Sequence, residues 1–307
     1  MDPWPQALAH LAAGHVERLG GGTEGAVYRL RPGVVAKVWH DRTPEELAPL
    51  RRAYDDVAAA RPAVRTPMVR DVLVLDGRTV TVEDELPGRS LQERLDPAAD
   101  ELPGWAVDAV VATLAALRTV GSTAALRALP VLGERTPFRS PGDDFPGALA
   151  GLVERRAAAS VPELVTAVPD LDVRLEALGA RLAGLGPTAE TVVHGDLFGA
   201  NLHVDPDGRA VAVLDFGFLT TAGDPRFDAG VTAGIMDMYG PHAAQVTRLL
   251  TAELARQLGD DPAVLVLHRA AYAVATSTLF GRDLDDGHFR WCVDQLTDPA
   301  TADVLGL

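Results

Sequence analysis

Lysine is almost missing from this 307-residue sequence: of its 28 basic residues only Lys37 is a lysine, and the rest are arginines. An ammonium behaves as a compact point charge where the wide guanidinium fork does not fit, so the single position that keeps it asks for a reason. Cysteine is equally scarce. Cys292 alone excludes an internal disulfide and any cysteine-rich metal site, which agrees with a reducing compartment. Aromatic residues make up only 5%, beside abundant Ala, Leu, Val and Arg, a composition that suggests GC-rich codons and says little about fold. No apolar run approaches the length of a membrane span. The N-terminal MDPWPQALAHLAAGH has no basic segment followed by an apolar one, so the expectation is a soluble, cytoplasmic protein with no membrane partner.

Basic charge is also in short supply, and unevenly so. The net charge is −15; residues 1–88 hold 13 acids against 11 bases, whereas residues 89–307 hold 30 against 17. A strongly acidic second part argues against nucleic acid or an anionic membrane as partner, because both demand basic surface. It suits a cationic substrate, and equally an acidic surface that keeps the protein soluble.

With 47% apolar residues the chain can bury a substantial core in one large domain or two modest ones. A short helix is expected within residues 1–14. From 15 to 40 short apolar runs broken by glycine predict a hairpin followed by a third strand at Val34–Trp39. Thr43-Pro44-Glu45-Glu46 reads as a helix start, with the helix running to about Ala60. Strands are expected at 71–75 and 79–85 around an Asp76-Gly77 turn. After Leu86-Pro87-Gly88 helices predominate, at 90–95, 104–120, 145–158, 170–184, 225–239, 241–258, 262–279 and 286–296. Short strands return only within 191–218. The expected division is a β-rich lobe over 1–86 and a helical lobe over 87–307.

Two constellations carry chemistry. Gly20-Gly21-Gly22-Thr23-Glu24-Gly25-Ala26-Val27 has the G-x-G-x-x-G-x-V form of the kinase glycine-rich loop and falls between two strands, unlike a Rossmann or Walker A loop. Without side chains at Gly20, Gly22 and Gly25, backbone N–H groups can approach nucleotide phosphates. Lys37 lies on the third strand, where a kinase-type fold places its phosphate-gripping lysine. The second constellation is Val193-His194-Gly195-Asp196-Leu197-Phe198-Gly199-Ala200-Asn201, followed by Ala212-Val213-Leu214-Asp215-Phe216-Gly217. Asp196, Asn201 and Asp215 have the order and spacing of a catalytic base and two metal ligands on either side of a β-hairpin. A carboxylate can take the proton of an acceptor hydroxyl, and hard oxygens at Asn201 and Asp215 suit Mg²⁺. Asp205-Pro206-Asp207-Gly208 reads as the hairpin turn.

HGDLFGANLHV, VLDFGF and the Ala222-Gly223-Asp224-Pro225-Arg226-Phe227-Asp228 run together resemble the aminoglycoside phosphotransferase family. That family includes small-molecule kinases acting on choline, homoserine, fructosamine and macrolides. The resemblance covers about 19–39, Glu85–Gly88 and about 190–230. It implies an α+β, two-lobed protein-kinase-like fold with a small β-rich N-lobe and a large helical C-lobe, and ATP or GTP with Mg²⁺ in the cleft. By the same resemblance Asp196 is the catalytic base, His194 braces the catalytic loop, and Asp224 holds that loop's backbone. The base of the nucleotide packs near Glu85 and Leu86, and Lys37 pairs with an acid on the following helix, for which Glu46 is chosen.

The Arg of a protein-kinase His-Arg-Asp is replaced by Gly195, and no Ala-Pro-Glu segment follows, which weighs against a protein substrate. The implied activity is phosphorylation of a hydroxyl on a small, amine-bearing, aminoglycoside-like molecule. The alternatives are an aminosugar, a choline-like amino alcohol, a fructosamine or a macrolide as acceptor, or a nucleotide-binding pseudokinase. Asp283, Asp285 and Asp286 either hold substrate ammonium groups, as C-terminal acids do in that family, or simply cap the helix 286–296.

Overall fold

The computed structural model describes residues 2–22, 24–96, 99, 101–140 and 142–307. After a short helix α1 (Trp4–Ala7), the chain builds an antiparallel sheet from β1 (Glu17–Gly21), β2 (Gly25–Arg31), β3 (Val34–Trp39), β4 (Val69–Leu75) and β5 (Arg78–Asp84), in the order β1-β2-β3-β5-β4. Helix α2 (Pro44–Ala59) is inserted between β3 and β4. Period-two alternation sets the faces. Ala26, Tyr28 and Leu30 of β2 pack with Val34, Ala36 and Val38 of β3 in one core. The intervening Val35, Lys37 and Trp39 therefore share the opposite face, and Lys37 sits mid-sheet between Val27 and Thr81. The β4–β5 turn has positive φ at Asp76 and Gly77, the two-residue geometry that follows the right-handed twist of paired strands.

Helix α2 starts as its sequence predicts. The Thr43 hydroxyl accepts from the Glu46 amide at 3.3 Å, and the Glu46 carboxylate accepts from the Thr43 amide at 2.9 Å, a reciprocal capping box. Its Ala53, Tyr54 and Val57 leave the sheet's core and pack among residues of the second lobe, including Leu91, Leu202 and Phe216. That helix ties the two lobes together.

The second lobe begins with β6 (Arg89–Ser90) and α3 (Leu91–Arg94). It continues through α4 (Gly104–Leu117), α5 (Ala124–Arg127), α6 (Phe145–Ala167) and α7 (Leu171–Ala183). A β-rich insert follows: β7 (Thr191–Val193), β8 (Leu202–Val204), β9 (Ala210–Val213) and β10 (Thr221–Gly223). Then come α8 (Pro225–Ile235), α9 (Ala243–Leu258), α10 (Pro262–Thr276), α11 (Gly287–Thr297) and α12 (Pro299–Leu305). Every residue of α10 from Leu265 to Thr276 is buried, the pattern of a central helix covered on all sides. Helix α6 runs on to Ala167 through Pro162, nine residues past the expected end. The predicted 225–239 helix stops instead at Ile235, and the residues after it form a loop. Neither α5 nor α12 was expected from the sequence pattern; each is under two turns long or nearly so.

Strand β8 pairs with both β6 and β9, while β7 pairs with β10, so two antiparallel ribbons are joined by the loops 194–201 and 214–220. The β8–β9 turn is an Asx-type turn, in which Asp205 Oδ1 accepts from the amides of Asp207 and Arg209 at 2.9 Å each. Replacing the α2 cap by Thr43→Ala is expected to cost about 1 kcal/mol. The measurement is urea denaturation, with the midpoint falling and the slope unchanged; an unshifted midpoint would count against the capping role.

Candidate active site

The loop 194–201 is held by a carboxylate from helix α8. Asp228 Oδ2 accepts from the His194 amide and Oδ1 from the Gly195 amide, both at 2.8 Å. Asp228 is fully buried, and burial pushes its pKa up to about 6 against the lowering influence of those two amides. Gly195 adopts φ +79°, and a Cβ there would lie 2.5 Å from the Leu219 carbonyl oxygen. This explains why the position before the aspartate carries no side chain: the neighbouring loop occupies the space an arginine would need.

His194 braces the loop from inside. Its Nε2–H donates to the Leu214 carbonyl at 2.8 Å, which leaves Nδ1 to accept from the Asp196 amide at 3.2 Å. Full burial lowers its pKa to about 4, so the ring is neutral, as this tautomer requires. The imidazole also packs 4.4 Å from the Phe216 ring. The Thr220 hydroxyl donates to the His194 carbonyl at 2.9 Å and accepts from the Gly217 amide at 2.8 Å. From α2, the buried Tyr54 hydroxyl donates to the Phe216 carbonyl at 3.0 Å. The two loops are thereby locked side by side.

Asp196, Asn201, Asp215 and Lys37 meet at this junction. Asn201 Nδ2 donates to the Asp196 carbonyl at 2.9 Å, which leaves Oδ1 without a hydrogen bond among the described residues. The Asn201 carbonyl accepts from the Leu214 amide at 2.9 Å, placing Asp215 next to it. Asp215 takes φ +60°, a conformation held by the surrounding loop contacts. Lys37 Nζ donates to Asp215 Oδ1 at 2.7 Å and to Glu24 Oε2 at 3.1 Å, and lies 4.0 Å over the Trp39 ring. Burial alone would depress the lysine pKa, but Asp215 and Glu24 raise it above the usual value and keep it charged. The Asp196 carboxyl is pushed up to about 7, chiefly by burial and then by the like charges of Asp215 and Glu24. That makes it a stronger proton acceptor than an ordinary aspartate.

Asn201 and Asp215 are hard oxygen donors that fit Mg²⁺. Among the described residues no cluster of three or more His, Cys, Asp or Glu could hold a metal alone. A metal here would share protein oxygens with phosphate oxygens, the usual habit of Mg²⁺.

Several expected roles change. Glu46 does not pair with Lys37, because its carboxylate is engaged in the α2 capping box; the partner is Glu24, at the tip of the glycine hairpin. Asp224 does not hold the loop backbone. It caps α8 through the Arg226 amide at 2.9 Å and pairs with the Arg226 guanidinium, and the loop is held by Asp228, one helical turn on. The Glu85 carboxylate accepts from Arg29 at 2.8 Å and from the Gly33 amide at 3.1 Å, so it fastens β5 to the β2–β3 turn. Beside it Leu86 is half-buried. Gly20 lies on β1, Gly22 donates to the Gly25 carbonyl across the hairpin at 2.9 Å, and Gly25 opens β2; Thr23 between them lies outside the described residues. Asp286 caps α11 through the Phe289 amide at 2.8 Å, and Asp283 accepts from the amides of Asp285 and Asp286 within its own loop. The capping alternative describes Asp286; none of the three lines the large cavity beside Asp196, but Asp286 lines a smaller pocket that shares Tyr239, Phe280 and His288 with it.

That cavity, of about 890 Å³, is bounded on one side by Gln92, Glu93, Asp96, Glu101 and Leu102 and on the other by Asp196, Phe198, the segment Ile235–His242, Tyr272, Phe280 and His288, so several carboxylates line it. Sequence reading passed over Asp228, Glu24 and Tyr54. The signal for Asp228 was present, since an acid one turn after an N-cap Asp-Pro faces back toward whatever precedes the helix. Asp228→Ala would leave two buried amide donors unpaired at an expected cost of about 3 kcal/mol. Chemical denaturation measures this loss, and unchanged stability would sink the assignment of Asp228 as the loop's anchor.

The model of the phosphotransferase enzyme family (APH) matches residues 15–273. No curated protein matches the sequence. Among solved structures, a macrolide 2'-phosphotransferase from Brachybacterium faecium is 21% identical, with 97% of this chain and 99% of that one covered and a TM-score of 0.54. The GDP and kanamycin complex of an APH(2'') enzyme is 16% identical, with 98% of each chain covered and a TM-score of 0.63. The ADP and streptomycin complex of an aminoglycoside phosphotransferase from Streptomyces rimosus is 19% identical, with 90% and 99% covered and a TM-score of 0.52. With this kinase-like architecture and a family match that takes in both lobes, the chain belongs to the phosphotransferase enzyme family and is a small-molecule kinase.

Proposed function

We propose that the protein transfers the γ-phosphoryl group of ATP or GTP, with Mg²⁺, to a hydroxyl of a small, amine-bearing molecule. The observation that carries the proposal is the meeting of Lys37, Asp196, Asn201 and Asp215 beside one large cavity. The nucleotide would lie in the cleft between residues 1–86 and 87–307, under the hairpin of Gly20, Gly22 and Gly25, with its base near Leu86. Structural relatives crystallised with GDP or with ADP support a nucleotide of either base.

In this reading Lys37 grips the phosphates while Glu24 and Asp215 hold its ammonium in place. Asp196 orients the acceptor hydroxyl and takes its proton as the new O–P bond forms and the bond to the leaving diphosphate breaks. His194 and Asp228 touch no substrate; they fix the loop that presents Asp196. Mg²⁺ held by Asn201 and Asp215 would supply neutralisation of charge on the phosphates. Most of the rate enhancement would come from positioning and charge, as in phosphoryl transfer generally.

The test is nucleotide consumption by the purified protein across a panel of aminoglycosides, aminosugars, amino alcohols, ketosamines and macrolides. Acceptor-dependent turnover is expected, falling by at least about 100-fold in Asp196→Asn and abolished by chelating Mg²⁺. Failure to bind nucleotide at all would overturn the proposal. The two candidate lysine partners separate cleanly in a nucleotide titration. Glu24→Gln should change affinity severalfold, whereas Glu46→Gln should leave it within about twofold, since glutamine also serves a capping box. The reverse order would restore Glu46 as the partner.

A further inference from the structure

The proposed reaction, on which this inference rests, admits either purine, and the sheet face that would receive the nucleotide holds an uncommitted carboxylate. Antiparallel pairing sets Lys37 opposite Thr81 and Val35 opposite Glu83. Side chains two apart on a strand share a face, so Glu83 lies on the same side of the sheet as Lys37. Lys37 reaches Asp215 of the second lobe, so this is the face turned toward the cleft. Glu83 is the last residue of β5 on that face, three positions before Leu86. Its acidic neighbours are already engaged: Asp84 pairs with Arg70, and Glu85 with Arg29 and the Gly33 amide.

A hydrogen-bond chain fixes the Glu83 side chain. Trp39 Nε1 donates to the Thr81 hydroxyl at 3.0 Å, and that hydroxyl donates to Glu83 Oε1 at 2.5 Å. Oε2 has no hydrogen bond, and the half-buried carboxylate no ion pair, among the described residues. Burial raises its pKa, with Asp215 adding to the rise and the Thr81 hydrogen bond and Lys37 opposing it. Lys37 has no need of a third acid, since Glu24 and Asp215 both lie within hydrogen-bond distance of its ammonium. A carboxylate partly out of water with free lone pairs gains most from a ligand that brings N–H donors.

The two purines differ at the edge such a group can read. Guanine sets two donors side by side, N1–H and the 2-amino group. Adenine offers its 6-amino group beside N1, whose lone pair repels an acceptor. An ionised carboxylate accepts on both oxygens and donates from neither. We infer that Glu83 reads the base: its carboxylate accepts from N1–H and the 2-amino group of guanine, so the protein takes GTP in preference to ATP.

The test is calorimetric titration of the full-length protein, with Mg²⁺, using non-hydrolysable analogues of GTP, ITP and ATP. Inosine keeps N1–H and lacks the 2-amino group. GTP is expected to bind at least about tenfold more tightly than ITP, the effect of one hydrogen bond to a charged group, and ATP more weakly still. Glu83→Gln places a donor beside an acceptor, which suits the N1 and 6-amino edge of adenine. It should weaken GTP at least about tenfold and tighten ATP severalfold, whereas a role confined to supporting Lys37 would shift both alike. Such an equal shift, or wild-type binding of ATP or ITP as tight as that of GTP, would overturn the inference. If Glu83→Gln does not fold, the order among the three nucleotides on the wild type decides alone. Phosphate transfer to the acceptor panel is followed with ATP and GTP in parallel. Transfer from ATP as readily as from GTP sinks the inference and leaves the reaction standing. Guanine-selective binding without transfer to any acceptor does the opposite, and failure of all three nucleotides to bind overturns both.

Discussion

Two hydrogen bonds from consecutive amides to one buried carboxylate hold the centre of this protein together. Asp228 sits in the first turns of α8, and the amides of His194 and Gly195 close on its two oxygens. A carboxylate with no exposed surface is costly unless donors converge on it. Once the cost is met, the geometry of the loop is set. His194 then has only one tautomer that satisfies both the Leu214 carbonyl and the Asp196 amide. The position of Asp196 follows from that, and Asn201, hydrogen-bonded to the Asp196 carbonyl, follows in turn. Breaking this anchor would disturb every later element of the chain of contacts.

The second node is Lys37, and it differs from the expectation drawn from family resemblance. Helix α2 turns Tyr54 and apolar residues toward the junction, and no acid from that helix reaches the lysine. The ammonium is shared by a carboxylate of the glycine hairpin and one of the metal loop. The lysine therefore links the tip of the sheet to the helical lobe directly. Tyr54 provides the parallel link from α2 to the Phe216 carbonyl.

Much of this was legible in the residues. Lys37 stood out as the only lysine, the Thr43 capping box was readable as a four-residue pattern, and HGDLFGAN with VLDFG gave order and spacing for the loop residues. Fold class and family follow from these and agree with the family match. What failed did so for identifiable reasons. Asp224 and Asp228 are both acids at the start of one helix, and the sequence alone does not say which turns inward and which caps. Glu46 satisfies a local capping pattern that competes with any distant role. Helix α6 continues through Pro162 because packing against α7 and α10 outweighs one lost backbone hydrogen bond. The cavity wall is assembled from segments far apart in the chain, so its lining became visible only in three dimensions.

The company kept by Lys37 has a further consequence. One buried ammonium faces Glu24 and Asp215 directly, with Glu83 adding its field from slightly farther away, and the same Glu24 and Asp215 charges also act on Asp196. The catalytic junction is therefore an electronegative basin, although the proposed reaction must admit one of the most highly charged anions in metabolism. On that reaction, a bare nucleotide would be repelled at the threshold, and only one already wrapped with a divalent cation would find the basin attractive. The protein would select for the metal complex by electrostatics before any coordination bond is formed.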